Sequence, residues 1–164
     1  MVYYGTESGM WGADDPDDRK PMVWADLDYA PEALGPFGKR PSADANQFDS
    51  SLYQFYKSAI ELRHNHECLR RGDIQFVHAD DEARTLGFVR RHENDTLLVV
   101  LNRDEQPHDV KAEIPKLPDD QSAAWTLRFV SYKEPGVALL SAGANSVTVH
   151  LPPLTGAVYE RVVD

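Results

Sequence analysis

After Gly72 the hydrophobic pattern shortens to a period of two, and this change constrains the fold more than any other feature of the chain. Successive side chains of an extended strand point to opposite faces, so a period-two run buries one face and wets the other. Such runs recur at short intervals: Ile74–Val77, Thr85–Arg91, Thr96–Asn102, His108–Ile114, Trp125–Ser131, Val137–Leu140, Ser146–His150 and Gly156–Val162. Short strands separated by turn residues at this spacing predict an antiparallel β-sandwich. His92-Glu93-Asn94-Asp95, a polar connection between two such runs, suits a hairpin.

The chain before Gly72 reads differently. From Asp49 to about His66, the residues Leu52, Phe55, Tyr56, Ala59, Ile60 and Leu62 recur at three and four positions, which predicts a helix with Asp49 as its N-cap. Its apolar stripe is expected either to dock on the β-domain or to stay partly exposed. Residues 1 to about 48 are rich in proline, glycine and aspartate and carry no sustained period. A loop of that length is uncommon in a compact domain unless it serves a site or has lost its neighbours.

Composition excludes several functions. A formal net charge of -10 over 164 residues opposes nucleic acid and anionic membrane as partners, both of which demand clustered Lys and Arg. No apolar run reaches the eighteen or so residues of a membrane span, and Met1-Val2-Tyr3-Tyr4 lacks the regions of a signal peptide, so a cytoplasmic location is favoured. Cys68 is the lone cysteine, which rules out an intrachain disulfide; it is expected to pack as a small hydrophobe. Asp14, Asp15, Asp17 and Asp18 suggest calcium, but counting from Asp15 puts Lys20 and Asp26 where a twelve-residue calcium loop needs Gly and Glu. His64 and His66 lie two apart on different helical faces and are expected to complement the helix dipole. Neither a phosphate loop nor a nucleophile elbow is present, since Gly5-Thr6-Glu7-Ser8-Gly9 has Glu at its centre. No cofactor or metal is expected.

The stretches Val2-Tyr3-Tyr4-Gly5-Thr6-Glu7-Ser8-Gly9-Met10-Trp11-Gly12 and Asp15-Pro16-Asp17-Asp18-Arg19-Lys20-Pro21-Met22-Val23-Trp24 resemble the motif that closes the catalytic barrel of α-amylase-family glycoside hydrolases, especially the cyclomaltodextrinase and neopullulanase branch. In that family the motif runs from the eighth barrel strand into the loop after it, on the face where such barrels build active sites. Leu69-Arg70-Arg71-Gly72-Asp73 resembles the exit from the last barrel helix, and Leu151-Pro152-Pro153-Leu154-Thr155-Gly156-Ala157-Val158-Tyr159 the closing strand of the C-terminal domain. The resemblance implies a mainly β chain, an antiparallel β-sandwich preceded by a long loop and one helix left from a TIM barrel. Residues 1–71 would be the last strand, loop and helix of the barrel, and residues 72–164 the C-terminal sandwich.

In the family, the two carboxyl groups of retaining hydrolysis and a third stabilising Asp sit on the fourth, fifth and seventh barrel strands, in motifs this chain does not contain. The resemblance therefore implies a non-catalytic C-terminal portion of an α-glucan-degrading enzyme, with an α-glucan oligosaccharide and the missing barrel as its partners and a homodimer as a further possibility. Asp15 and Arg19 match residues that bind sugar hydroxyls, for which a carboxylate and a guanidinium fork are chemically suited. Trp11 is a candidate for stacking on a sugar face, whereas Trp24 is expected to pack and Glu7 to make a structural hydrogen bond. The alternative is a free-standing carbohydrate-binding or interaction module that exposes Trp125, Tyr132 or Tyr159.

Overall fold

A computed structural model of the chain describes residues 2–12, 15, 19–32, 45–115, 124–131, 136–143 and 145–163. It divides into two compact units, Met1–Ala59 and Ile60–Asp164. All eight expected strands form: β1 Asp73–Asp80, β2 Thr85–His92, β3 Asp95–Asn102, β4 His108–Glu113, β5 Ala124–Val130, β6 Ala138–Ala142, β7 Ser146–Leu151 and β8 Gly156–Val162. They make a five-stranded sheet in the order β1-β2-β3-β8-β5 and a three-stranded sheet in the order β4-β7-β6, antiparallel throughout.

The period-two pattern decides what lies between the sheets. Val89, Leu98, Val100, Ala157 and Tyr159 face inward from the large sheet, while Val110, Ala112, Val147, Val149 and Leu151 come from the small one. Nearly all are fully buried. Burying a Val or Leu side chain stabilises by about 1.5–3 kcal/mol before entropy is counted, so this layer is the main source of stability. The β2–β3 hairpin turns as expected, with His92 opposite Asp95 and the two-residue turn Glu93-Asn94, where Glu93 takes φ 50°.

Trp125 and Tyr159 belong to this core, at 8% and 2% exposure, and burial pushes the Tyr159 phenol above its usual range. They cannot be the exposed stacking residues of a binding module; both strands turn these rings toward the opposite sheet. Tyr132 lies outside the described residues.

Two helices precede the sheets. Helix α1, Ser50–Asn65, is capped by Asp49, whose Oδ1 accepts from the backbone N–H groups of Ser51 at 3.0 Å and Leu52 at 2.9 Å. The Ser51 hydroxyl, which donates to the same oxygen, and after it these backbone bonds hold the Asp49 carboxyl below its usual range. No residue of α1 is buried, so its stripe is only half covered: Leu62 packs on the outer face of the large sheet, while Phe55 and Ile60 stay exposed. Helix α2, Cys68–Arg71, follows and ends at Gly72. A Cβ on Gly72 would lie 2.4 Å from the Arg91 carbonyl oxygen and 2.5 Å from that of Cys68, so only glycine lets the chain pass between helix and sheet here. Among the described residues no helix is long and apolar enough to cross a membrane.

Asn102, buried at the end of β3, ties two turns together. Its Nδ2 donates to the carbonyls of Gln106 at 2.8 Å and Pro152 at 2.9 Å, and its Oδ1 accepts from the N–H of Asp104 at 2.8 Å. Asn102→Ala leaves these buried groups without partners and is expected to cost about 2–3 kcal/mol, measured by urea unfolding. A loss below about 0.5 kcal/mol would show that the turns hold themselves.

Candidate functional site

The leading unit is organised by glycines and backbone hydrogen bonds. A 3-10 turn, Thr6–Ser8, lies between Gly5 and Gly9, both left-handed with φ 86° and 73°. Ser8 is fully buried, its hydroxyl donating to the Gly5 carbonyl at 3.1 Å and its carbonyl accepting from the Asp49 N–H at 2.9 Å. The strand that the resemblance led us to expect at the start of the chain is not formed among residues 2–12. A barrel strand takes its hydrogen bonds from parallel neighbours, and no described strand flanks this segment.

Farther along, the Tyr4 hydroxyl donates to the Lys20 carbonyl at 3.0 Å, Lys20 pairs with Glu32, and the buried Val23 receives Met10, whose sulfur lies 3.4 Å from the Val23 N–H. Asp15 and Arg19 are brought together as an exposed i,i+4 ion pair. Trp11 is half-buried a few residues before them. The other acidic residues of that run, Asp14, Asp17 and Asp18, lie outside the described residues.

Two expectations for this loop need correction. Trp24 does not pack; it is 55% exposed, on a loop held by its backbone N–H donating to the Tyr29 hydroxyl at 2.7 Å. Glu7 Oε2 is buried and, among the described residues, has no hydrogen-bond partner, so the structural bond expected of it is not made there.

The sandwich unit has two dissimilar outer surfaces. The small sheet turns polar groups outward, including the pair His150 and Asp109 at 2.6 Å and the pair Lys111 and Glu113 at 3.1 Å. On the large sheet, the strand registers place Phe76, Phe88, Val99, Val158 and Phe129 in one row across all five strands, on the face away from the core. Phe76 and Phe88 meet edge to face with centroids 6.1 Å apart. Leu62, Cys68 and Leu69 cover the part of this face around Leu97 and Val158. Toward the β1 edge the cover ends, leaving Ile74 53% and Phe76 62% exposed.

Cys68 is packed as expected. Burial, reinforced by a hydrogen bond to Asp95 and by that residue's charge, pushes its thiol up to about 12. Asp95 Oδ2 also accepts from the Cys68 N–H at 2.9 Å and so caps α2 from a residue remote in sequence. Burial alone would raise the Asp95 carboxyl, but this bond and His66 hold it below its usual range.

The class of the fold follows from superposition. The chain matches the α-amylase from H. orenii with a TM-score of 0.66 and 20% identity, over 98% of this chain and 32% of that one. It matches a structure described as cyclomaltodextrinase with a TM-score of 0.64 and 23% identity, over 98% and 23%. The sandwich is thus of the α-amylase C-terminal β-domain type. Sequence makes the assignment specific: residues 74–130 match the family described as Maltogenic Amylase, C-terminal domain, and over this domain the chain belongs to that family. It is 32% identical to a Cyclomaltodextrinase of Geobacillus thermopakistaniensis over 158 residues, 96% of this chain and 22% of that protein. It is 34% identical to Neopullulanase 2 of Thermoactinomyces vulgaris over 116 residues, 71% and 17% respectively. The chain spans about a fifth of the length of these curated relatives.

Two outcomes test this geometry. The Cys68 thiol should not react with an aromatic disulfide reagent at pH 8 until urea unfolds the chain; reaction in the native state would contradict its burial. Asp95→Ala should lower stability by about 1–2 kcal/mol by removing the cap of α2, read from the urea midpoint.

Proposed function

We propose that this chain acts as the C-terminal, non-catalytic portion of an α-glucan-degrading glycoside hydrolase whose barrel carries out retaining hydrolysis of α-1,4-glucosidic bonds. The observation that carries the reading is the contrast between the outer faces of the sandwich. A solvated sheet face is polar, as that of the small sheet is across β4 and β7, with Leu140 of β6 the exposed exception; an apolar row across five strands, exposed at one edge, marks a surface built for a partner. The half-covered stripe of α1 is a second such surface. The partner is the catalytic barrel, in keeping with relatives called cyclomaltodextrinase and neopullulanase that are several times longer.

In this reading residues 1–71 complete the barrel and residues 72–164 shield it from water. Asp15 and Arg19, already adjacent, accept from and donate to sugar hydroxyls at the cleft edge, and Trp11 stacks on a sugar ring. Hydrolysis itself requires two carboxyl groups about 5–5.5 Å apart in unlike environments, and these are supplied by the barrel.

The test is a reducing-sugar assay with maltotetraose and β-cyclodextrin. The chain alone should give no turnover, and the same chain joined to the barrel of a cyclomaltodextrinase should give hydrolysis. In the joined protein, Phe76→Asp should lower the unfolding temperature of the barrel without unfolding the sandwich, since Phe76 lies outside its core. Turnover by the chain alone would overturn the assignment of the catalytic groups to the barrel.

A further inference from the structure

We propose that His66, Asp95 and Glu160 form a three-ligand site for a divalent cation of the Zn2+ type, at the junction of the helices with the large sheet. The ligands come from three elements: the connection between α1 and α2, the first residue of β3, and β8. The strand register brings the last two together, because Asp95 and Leu97 share the outer face and Glu160 is the partner of Leu97 on the neighbouring strand. One ligand atom from each of the three side chains lies within 4.8 Å of the others.

The geometry and chemistry suit such an ion. His66 Nδ1 and Asp95 Oδ1 are 3.1 Å apart. Two ligand atoms on a tetrahedral zinc lie about 3.4 Å apart, given bonds of about 2.0–2.2 Å, so this pair already spans one tetrahedral edge. Two carboxylates balance the charge of a divalent ion, and an imidazole selects borderline metals over calcium or magnesium. The remaining carboxylate bonds orient the ligands: the Cys68 N–H holds Asp95 Oδ2 at 2.9 Å, and Arg128 Nε holds Glu160 Oε2 at 2.5 Å, leaving the second oxygen of Glu160 for the cation. Such outer contacts are a regular part of metal sites. Side-chain exposures of 13%, 23% and 24% for His66, Asp95 and Glu160 keep all three ligands in reach of solvent.

Two other His–Asp pairs provide internal controls. His108 and Asp104 are 2.9 Å apart, and His150 and Asp109 are 2.6 Å apart. Among the described residues neither is joined by a third ligating group, and the His66 trio is the one such cluster. Bound there, the cation would fasten the end of α1 to β3 and β8.

The experiment is calorimetric titration of the untagged, chelator-treated full chain with ZnCl2, with CoCl2 as an optical probe of tetrahedral coordination. The expected result is one Zn2+ per chain in the micromolar range or tighter, with an intense tetrahedral cobalt spectrum. Glu160→Gln and His66→Gln should each weaken binding at least about tenfold, whereas Asp109→Asn should leave it unchanged. Glu160→Gln keeps an oxygen for Arg128 to donate to, and its fold is verified by urea unfolding without metal. Absence of saturable binding below millimolar zinc, or binding that survives either ligand substitution, would overturn the proposal.

Discussion

Everything in the sandwich depends on one constraint: the inward residues of β2, β3 and β8 must meet those of β4 and β7 and exclude water between them. Val89, Leu98 and Val100 on one side and Val110, Val147, Val149 and Leu151 on the other are fully buried. A shift of one residue in any of these strands would carry its whole apolar set to the opposite face. Register is therefore fixed by burial, and the positions of all other groups follow from it. Asn102 lands at the end of β3, where two turns need its amide, and Asp95 at the start, where α2 needs a cap.

The same register creates the unequal outer faces. On the small sheet the outward positions of β4 and β7 are Asp109, Lys111, Thr148 and His150, all at ease in water. On the large sheet they include Phe76, Phe88, Val99, Val158 and Phe129, of which only a part is roofed by Leu62, Cys68 and Leu69. A chain selected to stand alone gains nothing from Ile74 and Phe76 in water. Under the proposed function, the catalytic barrel is the partner that covers them.

The eight strands were legible because alternation is local: each run of four to eight residues carries its own evidence. Strand order was not, since pairing β8 between β3 and β5 is a property of the whole chain. Bulges at Phe76/His78, Leu127/Phe129 and Leu139/Ser141 left no sign that composition reveals. The Asp49 cap was readable from its place before a periodic run; the Asp95 cap was not, because its helix lies 27 residues away. Asp15 and Arg19 stand out in the sequence only through the family resemblance, which says nothing of their pairing, whereas Trp24, placed where the motif turns back toward the scaffold, lies open. The sequence sets His66 beside His64, whereas the groups that surround it in the fold come from β3 and β8.

The central claim is that the sandwich is self-supporting and the leading segment relies on a barrel beside it. Native-state hydrogen exchange of the chain alone tests this most directly. The account predicts that amides of β2, β3, β7 and β8 exchange only through global unfolding, while those of residues 2–12 and 20–31 exchange many times faster through local opening. Equal protection in both segments would contradict it, since the leading segment would then be complete without a partner.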